Sequence, residues 1–198
     1  MTQERDPTGS RLGMWLFLYS EIMLFAGLFV LYAAYFHQYR ADFAHAGKEL
    51  NLIFGAVNTV ILLASSFTVA ASITAVRLGQ ARRGLVFLLS SIAMGGVFLV
   101  NKYFEWSHKI HHGIYPNSPK LLEGPPGETM FYSLYYVITG LHGIHIVIGM
   151  TVLAVSAVLL ARGRIRAGHD TLLENSGLYW HLVDLIWIFI FPLFYLVL

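Results

Sequence analysis

Seven ionisable side chains sit inside stretches that are otherwise apolar: Glu21, Lys102, Glu105, His142, His145, His181 and Asp184. Their spacing limits the chemistry open to them. His142 and His145 stand three apart in "TGLHGIHIVIG", Thr139 to Gly149, so on a helix they share a face. Such a pair can ligate haem or a metal, relay protons, or hydrogen-bond across to a neighbouring helix. Gly140, Gly143 and Gly149 surround them. Small residues let a second helix approach closely enough for polar side chains to bond across, which favours packing over ligation.

Lys102 and Glu105 are also three apart and can pair. They fall near the end of their apolar run, where a lysine reaches toward water. An interfacial ion pair is expected there. Glu21 lies about two turns into the first run. His181 and Asp184 lie one to two turns into the last, entered from the same side, so the three are expected at comparable depth and can be neighbours. Glu21, desolvated in an apolar helix, is the carboxyl expected to matter for proton-linked behaviour. Glu105→Gln, by contrast, is expected to do little, because lysine and water are close by. Outside the apolar runs, His108, His111 and His112 can hold a metal or form a solvated loop, and the solvated loop is the plainer reading.

These side chains need elements to hold them, and composition says in which solvent. Of 198 residues, 57% are hydrophobic and 12% charged, with a mean hydropathy of +0.62. Soluble domains carry roughly 25% charged residues, so most of this surface must face lipid or protein. Five runs reach the ~20 residues that cross ~30 Å of hydrocarbon: Gly13–Phe36, Leu52–Val76, Gly84–Trp106, Thr129–Ala161 and Gly177–Leu198. Backbone groups cannot stay unpaired in lipid, so each run is expected to be helical. The fold class is therefore all-α, an integral membrane bundle of five transmembrane helices. Residues 1–12 are expected to form a cytoplasmic tail and residues 13–198 the transmembrane domain.

The connectors are polar. The third, "SHKIHHGIYPNSPKLLEGPPGE", is the longest and carries four of the six prolines. The N-terminal segment is polar and mixed in charge, and the run behind it is of full span length, unlike a cleaved signal. Of the 13 Lys and Arg residues, eight belong to the N-terminus and the second and fourth connectors, and five to the other side. Positive-inside then puts the N-terminus in the cytoplasm and the C-terminus outside.

Chemistry is also excluded. The chain has no cysteine, which removes disulfides, c-type haem attachment and Cys-ligated zinc or iron–sulfur centres. A net charge of +2 without a long basic run argues against nucleic acid. Two haems need paired histidines across helices at two depths, and the spans hold no compelling four-histidine arrangement. A dihaem cytochrome b anchor using His142, His145 or His181 is the reading from another class.

Four stretches in order carry a resemblance: "GMWLFLYSEIMLFAGLF", "NKYFEWSHKIHHG", "TGLHGIHIVIG" and "YWHLVDLIWIFIFPLFYL". Together they look like subunit III of the haem–copper oxidases, over essentially Gly13 to Leu198, in a five-helix bacterial form. The resemblance implies an accessory bundle in the bacterial plasma membrane, beside the catalytic subunit I and other oxidase subunits. It would have no catalytic residue, metal or redox cofactor of its own. Haem and copper would sit in the partner subunits, with membrane phospholipid as a further ligand class. Longer members hold lipid between two extra helices and the remaining five, and this chain lacks the extra pair. Glu21 matches the family's buried carboxylate. Glu105 matches the acid of the next motif, where Trp106 stands in place of a frequent Tyr. His142, His145, His181 and Asp184 match motif positions directly. Lys102 before "YFE" and the ending "FPLFYL" also resemble the accessory membrane protein of nitric-oxide reductase, which is the second reading.

Overall fold

The computed structural model describes residues 7–196. Five long helices account for the five apolar runs: α1 (Pro7–Gln38), α3 (Leu52–Arg77), α4 (Ala81–His111), α6 (Pro126–Ala161) and α7 (Thr171–Tyr195). Two short helices, α2 (Arg40–Lys48) and α5 (Pro119–Leu122), lie in the connectors. All five long helices are long and apolar enough to cross a membrane, as the unbroken apolar runs require. The chain is an all-α membrane bundle.

Local chemistry explains where the helices stop. The Asn51 side chain accepts from the backbone N–H groups of Ile53 and Phe54 and caps α3, satisfying two orphan donors. Gly79, with φ of 76°, follows α3. There the N–H of Gly79 bonds the Val76 carbonyl and that of Gln80 the Ala75 carbonyl. This double closure needs a left-handed residue after the helix. Ser118 caps α5 ahead of Pro119, a proline whose missing N–H is not needed at a first helical position.

Several boundaries depart from expectation: α4 runs from Ala81 to His111 rather than Gly84 to Trp106, and α6 starts at Pro126 rather than Thr129. α1 begins at Pro7, so residues 7–12 of the expected tail are helical; residues 1–6 of it lie outside the described residues, as do Val197 and Leu198 at the end of the fifth run. α7 starts at Thr171 rather than Gly177. Its polar first turn is held by ion pairs: Arg77 meets Asp170 at 2.7 Å and Glu174 at 3.2 Å, and Arg11 meets Glu174 at 2.9 Å. Acidic residues at a helix start also suit its dipole.

α3, α4, α6 and α7 form the body of the bundle, with α3 against α4 and α7, and α6 against α4 and α7. α1 lies on α6 and α7. Only 11% of its most apolar stretch is buried, against 56% for α7, so α1 is the peripheral helix. α2 packs on α6, burying Phe43, Ala46 and Gly47. The Asp42 carboxylate accepts from the Gly127 N–H at 3.1 Å. A Cβ at Gly127 would stand 2.4 Å from that carboxylate, so only glycine fits there. The core is aromatic, with Trp180, Trp187, Tyr135, Phe131 and Phe194 fully buried. Small residues admit it: a Cβ on Gly95 or on Gly149 would come within 2.8 Å of the Trp180 ring.

Candidate functional site

α1 presents Glu21 and Phe25 on one face, a turn apart. Both meet His145 of α6. Glu21 Oε2 lies 2.7 Å from His145 Nε2, with the side chains 15% and 9% exposed, and the Phe25 ring stands edge-on to the imidazole. The other ring nitrogen, Nδ1, lies 2.8 Å from the Leu141 carbonyl. A carbonyl only accepts, so Nδ1 carries a hydrogen. One proton is then left for the contact between Nε2 and Glu21. It resides either on the carboxyl, facing a neutral imidazole, or on Nε2, facing a carboxylate. Either placement completes the contact as one hydrogen bond between α1 and α6.

α4 carries a second polar centre. Lys102 Nζ donates to Glu105 at 3.0 Å, to the Tyr135 hydroxyl at 3.0 Å and to the Tyr195 hydroxyl at 2.9 Å. The three ammonium hydrogens are thereby used. Tyr135 and Tyr195 in turn donate to the other Glu105 oxygen, at 2.8 Å and 2.6 Å. Aromatic faces of Tyr135, Trp187 and Tyr195 surround the ammonium. The pair was expected beside water at the interface. Its side chains are instead 8% and 5% exposed. α6 and α7 cover this end of α4 with tyrosines, which supply the polar contacts that water would otherwise give. Asn101 of α4 bonds Asn58 of α3 at 2.9 Å in the preceding turn.

His181 and Asp184 are not beside Glu21. His181 turns to α3, where its Nδ1 lies 2.6 Å from the Ser66 hydroxyl. Asp184 is 3% exposed, and neither carboxylate oxygen has a hydrogen bond among the described residues. His142 shares α6 with His145 but not its surroundings. It is fully buried between the rings of Phe98 and Trp187, and neither nitrogen is bonded among the described residues. Gly143, expected to admit a helix, has nothing within 4 Å of a Cβ position. It opens onto an apolar groove of about 420 Å³ between α4 and α6, walled by Trp106, Gly140 and Ile144. Gly149, in contrast, does receive a neighbour, the Trp180 ring. His108 and His111, expected in a loop, lie instead in the last turn of α4, and the cap residue His112 donates through Nδ1 to the His108 carbonyl at 2.7 Å. Among the described residues no three His, Cys, Asp or Glu side chains converge as a metal-holding group.

The model of the family described as cytochrome c oxidase subunit III matches residues 4–197. The chain belongs to the cytochrome c oxidase subunit III family. Among its relatives, a cytochrome c oxidase subunit 3 of Thermostichus vulcanus is 31% identical over 93% of this chain and 86% of its own length. A quinol oxidase subunit 3 of Bacillus spizizenii is 30% identical, over 93% and 85%. A cytochrome bo(3) ubiquinol oxidase subunit 3 of Pseudomonas aeruginosa is 28% identical, over 93% and 83%.

This subunit III chain holds polar residues that its sequence hid. Lys109 looks like a loop cation but is 6% exposed, with its ammonium over the Tyr132 ring. Tyr132 donates to Glu49 at 2.7 Å. Tyr135 and Tyr195 stand within apolar runs, and their hydroxyls complete the Lys102 centre. A usable signal was their company: a buried Tyr hydroxyl needs a partner, and Lys102 and Glu105 offered it.

Proposed function

We propose that this chain is the accessory subunit III of a proton-pumping haem–copper terminal oxidase in aerobic respiration. It sits in a bacterial plasma membrane beside the catalytic subunit I, with the N-terminus in the cytoplasm and the C-terminus outside. It carries no redox cofactor, and haem and copper belong to the partner subunits. The observation that carries this reading is the family match over nearly the whole chain. Relatives named for cytochrome c oxidase and for quinol oxidase match over 93% of it alike. The relatives' names do not favour a nitric-oxide reductase accessory protein or a dihaem anchor.

Within that role, Glu21 with His145 is the proton-linked element. The 2.7 Å contact exchanges one proton without changing net charge, which suits a group that tunes proton uptake by a neighbour without being its essential donor. Phospholipid fits the apolar groove between α4 and α6 by its lining.

The test is to tag the chain in its native membrane, purify the complex it carries, and identify the partners and the haem spectrum. Subunit I and an oxygen-reducing haem–copper spectrum are expected. Nitric-oxide reductase partners, or haem retained by the chain alone, overturn the reading. In the same complex, Glu21→Gln should keep subunit content but alter turnover-dependent inactivation or the pH profile of activity. A variant matching the wild type in all three makes Glu21 a packing residue only.

A further inference from the structure

We propose that a pocket between α3 and α4, beside Lys109 and Glu49, binds the headgroup of an amine-bearing phospholipid, with the phosphate on the Lys109 ammonium and the amine on the Glu49 carboxylate. The pocket measures about 680 Å³. Glu49 and Phe54 line it from the start of α3, and Phe104, His108, Lys109 and His111 from the end of α4. It shares no lining residue with the apolar groove between α4 and α6.

Lys109 is 6% exposed, and its ammonium makes no hydrogen bond or ion pair among the described residues. It has only the Tyr132 ring, 5.5 Å away at the centroid. A ring face attracts the charge but offers none of the three ammonium hydrogens a lone pair. The same ring keeps the cation from its counter-charge, because the Tyr132 hydroxyl donates to Glu49 at 2.7 Å. The cation therefore sits over the ring face and the anion at the ring's far end. The second Glu49 oxygen has no bond among the described residues. Glu105 also borders the pocket, but Lys102, Tyr135 and Tyr195 occupy both its oxygens. The pocket thus presents one positive and one negative group, held apart. A phosphate and an amine two carbons apart complement that pattern. A simple anion would face Glu49 and a simple cation would face Lys109, each repelled. His108 and His111 add ring N–H groups that can donate to the phosphate.

The depth of the pocket favours a lipid. The apolar run of α3 begins at Leu52 and that of α4 ends at Trp106. Phe54 and Phe104 fall inside that boundary, and Glu49, His108, Lys109 and His111 fall beyond it. The site therefore straddles the edge of the hydrocarbon, where headgroups lie. Phe54 and Phe104 are 39% and 60% exposed, which gives the acyl chains two rings to lie against. The inference rests on the chain spanning a membrane and not on which complex it serves.

Native mass spectrometry of the intact purified complex counts the lipids it holds. The complex is washed in detergent, and dioleoylphosphatidylethanolamine or dioleoylphosphatidylglycerol is added back at matched concentration. The wild type should take up one phosphatidylethanolamine more than Lys109→Gln, and Lys109→Arg, which keeps the charge, should recover it. Glu49→Gln should lose the preference for phosphatidylethanolamine over phosphatidylglycerol. Glu49 is exposed, so this variant carries the test if Lys109→Gln does not assemble. Equal lipid counts in wild type and Lys109→Gln, or a headgroup preference that Glu49→Gln leaves unmoved, overturn the proposal. Two other outcomes also overturn it: displacement of the lipid by inorganic phosphate, which marks a free-anion site, and loss of a partner subunit instead of a lipid from Lys109→Gln, which marks a protein contact.

Discussion

Glu21 of α1 and His145 of α6 meet at 2.7 Å although 124 residues separate them. The contact fastens a helix that otherwise buries little of itself. Removing either partner leaves the other short of a bond, which costs about 1–3 kcal/mol for a buried polar group. Glu21→Ala and His145→Ala should each lower the melting temperature of the purified complex. The double variant should lose less than the two singles together, since residues that share a bond are not additive. Losses that simply add count against the pairing.

Glu105→Gln should be the more damaging carboxylate substitution for stability, contrary to what its place near a helix end suggests. It leaves the Lys102 ammonium, 8% exposed, without its counter-ion. Breaking a buried pair from one side costs about 3–5 kcal/mol. Replacing both members by apolar residues, Lys102→Met with Glu105→Leu, should be milder than Glu105→Gln alone. Membrane abundance and thermal stability of the three chains decide the order. A Glu105→Gln chain as stable as the wild type shows that the ion pair contributes nothing.

Glycines in the same helices should respond in opposite ways. Gly95→Ala and Gly149→Ala each drive a methyl to 2.8 Å from the Trp180 ring, and overpacking of this kind costs about 1–3 kcal/mol. Gly143→Ala meets nothing within 4 Å and should be neutral, or gain up to about 1 kcal/mol of helix propensity. Chemical or thermal unfolding of the three variants in detergent makes the comparison. Equal losses at all three sites argue against the Trp180 packing.

Reporter fusions at Gly79, Asn117 and Gly168 should read in, out, in. These residues occupy the connectors between α3 and α4, α4 and α6, and α6 and α7. Five spans with the denser arginine clusters on the N-terminal side require this alternation. Two successive connectors on the same side would reject it.

The five spans were legible because lipid imposes a length and a composition that single residues cannot disguise. α2 was not: its nine residues are polar on average, and its helix is stabilised by seating Phe43 on α6, a tertiary contact with no periodic signature. The ionisable residues of the site were legible as a set but not as pairs. Depth along a span can be counted from sequence, which is why Glu21, His181 and Asp184 looked like neighbours. The direction each faces around the bundle depends on how the helices pack, and packing sends Glu21 to His145 and His181 to Ser66. The Lys102–Glu105 spacing announced an ion pair. Its burial was hidden because the covering hydroxyls come from Tyr135 and Tyr195, 33 and 93 residues away from Lys102.

That distance has a consequence in time. A chain made from its N-terminus inserts α4 before α6 and α7 exist, so Lys102 and Glu105 enter the bilayer with only each other for company. Tyr135 arrives later and Tyr195 later still. Until α7 docks, the pair lacks the Tyr195 hydroxyl that bonds both of its members in the finished bundle. The last span to be made thus closes the polar centre of the third, and a chain cut short before Tyr195 would leave Lys102 and Glu105 each one hydrogen bond poorer.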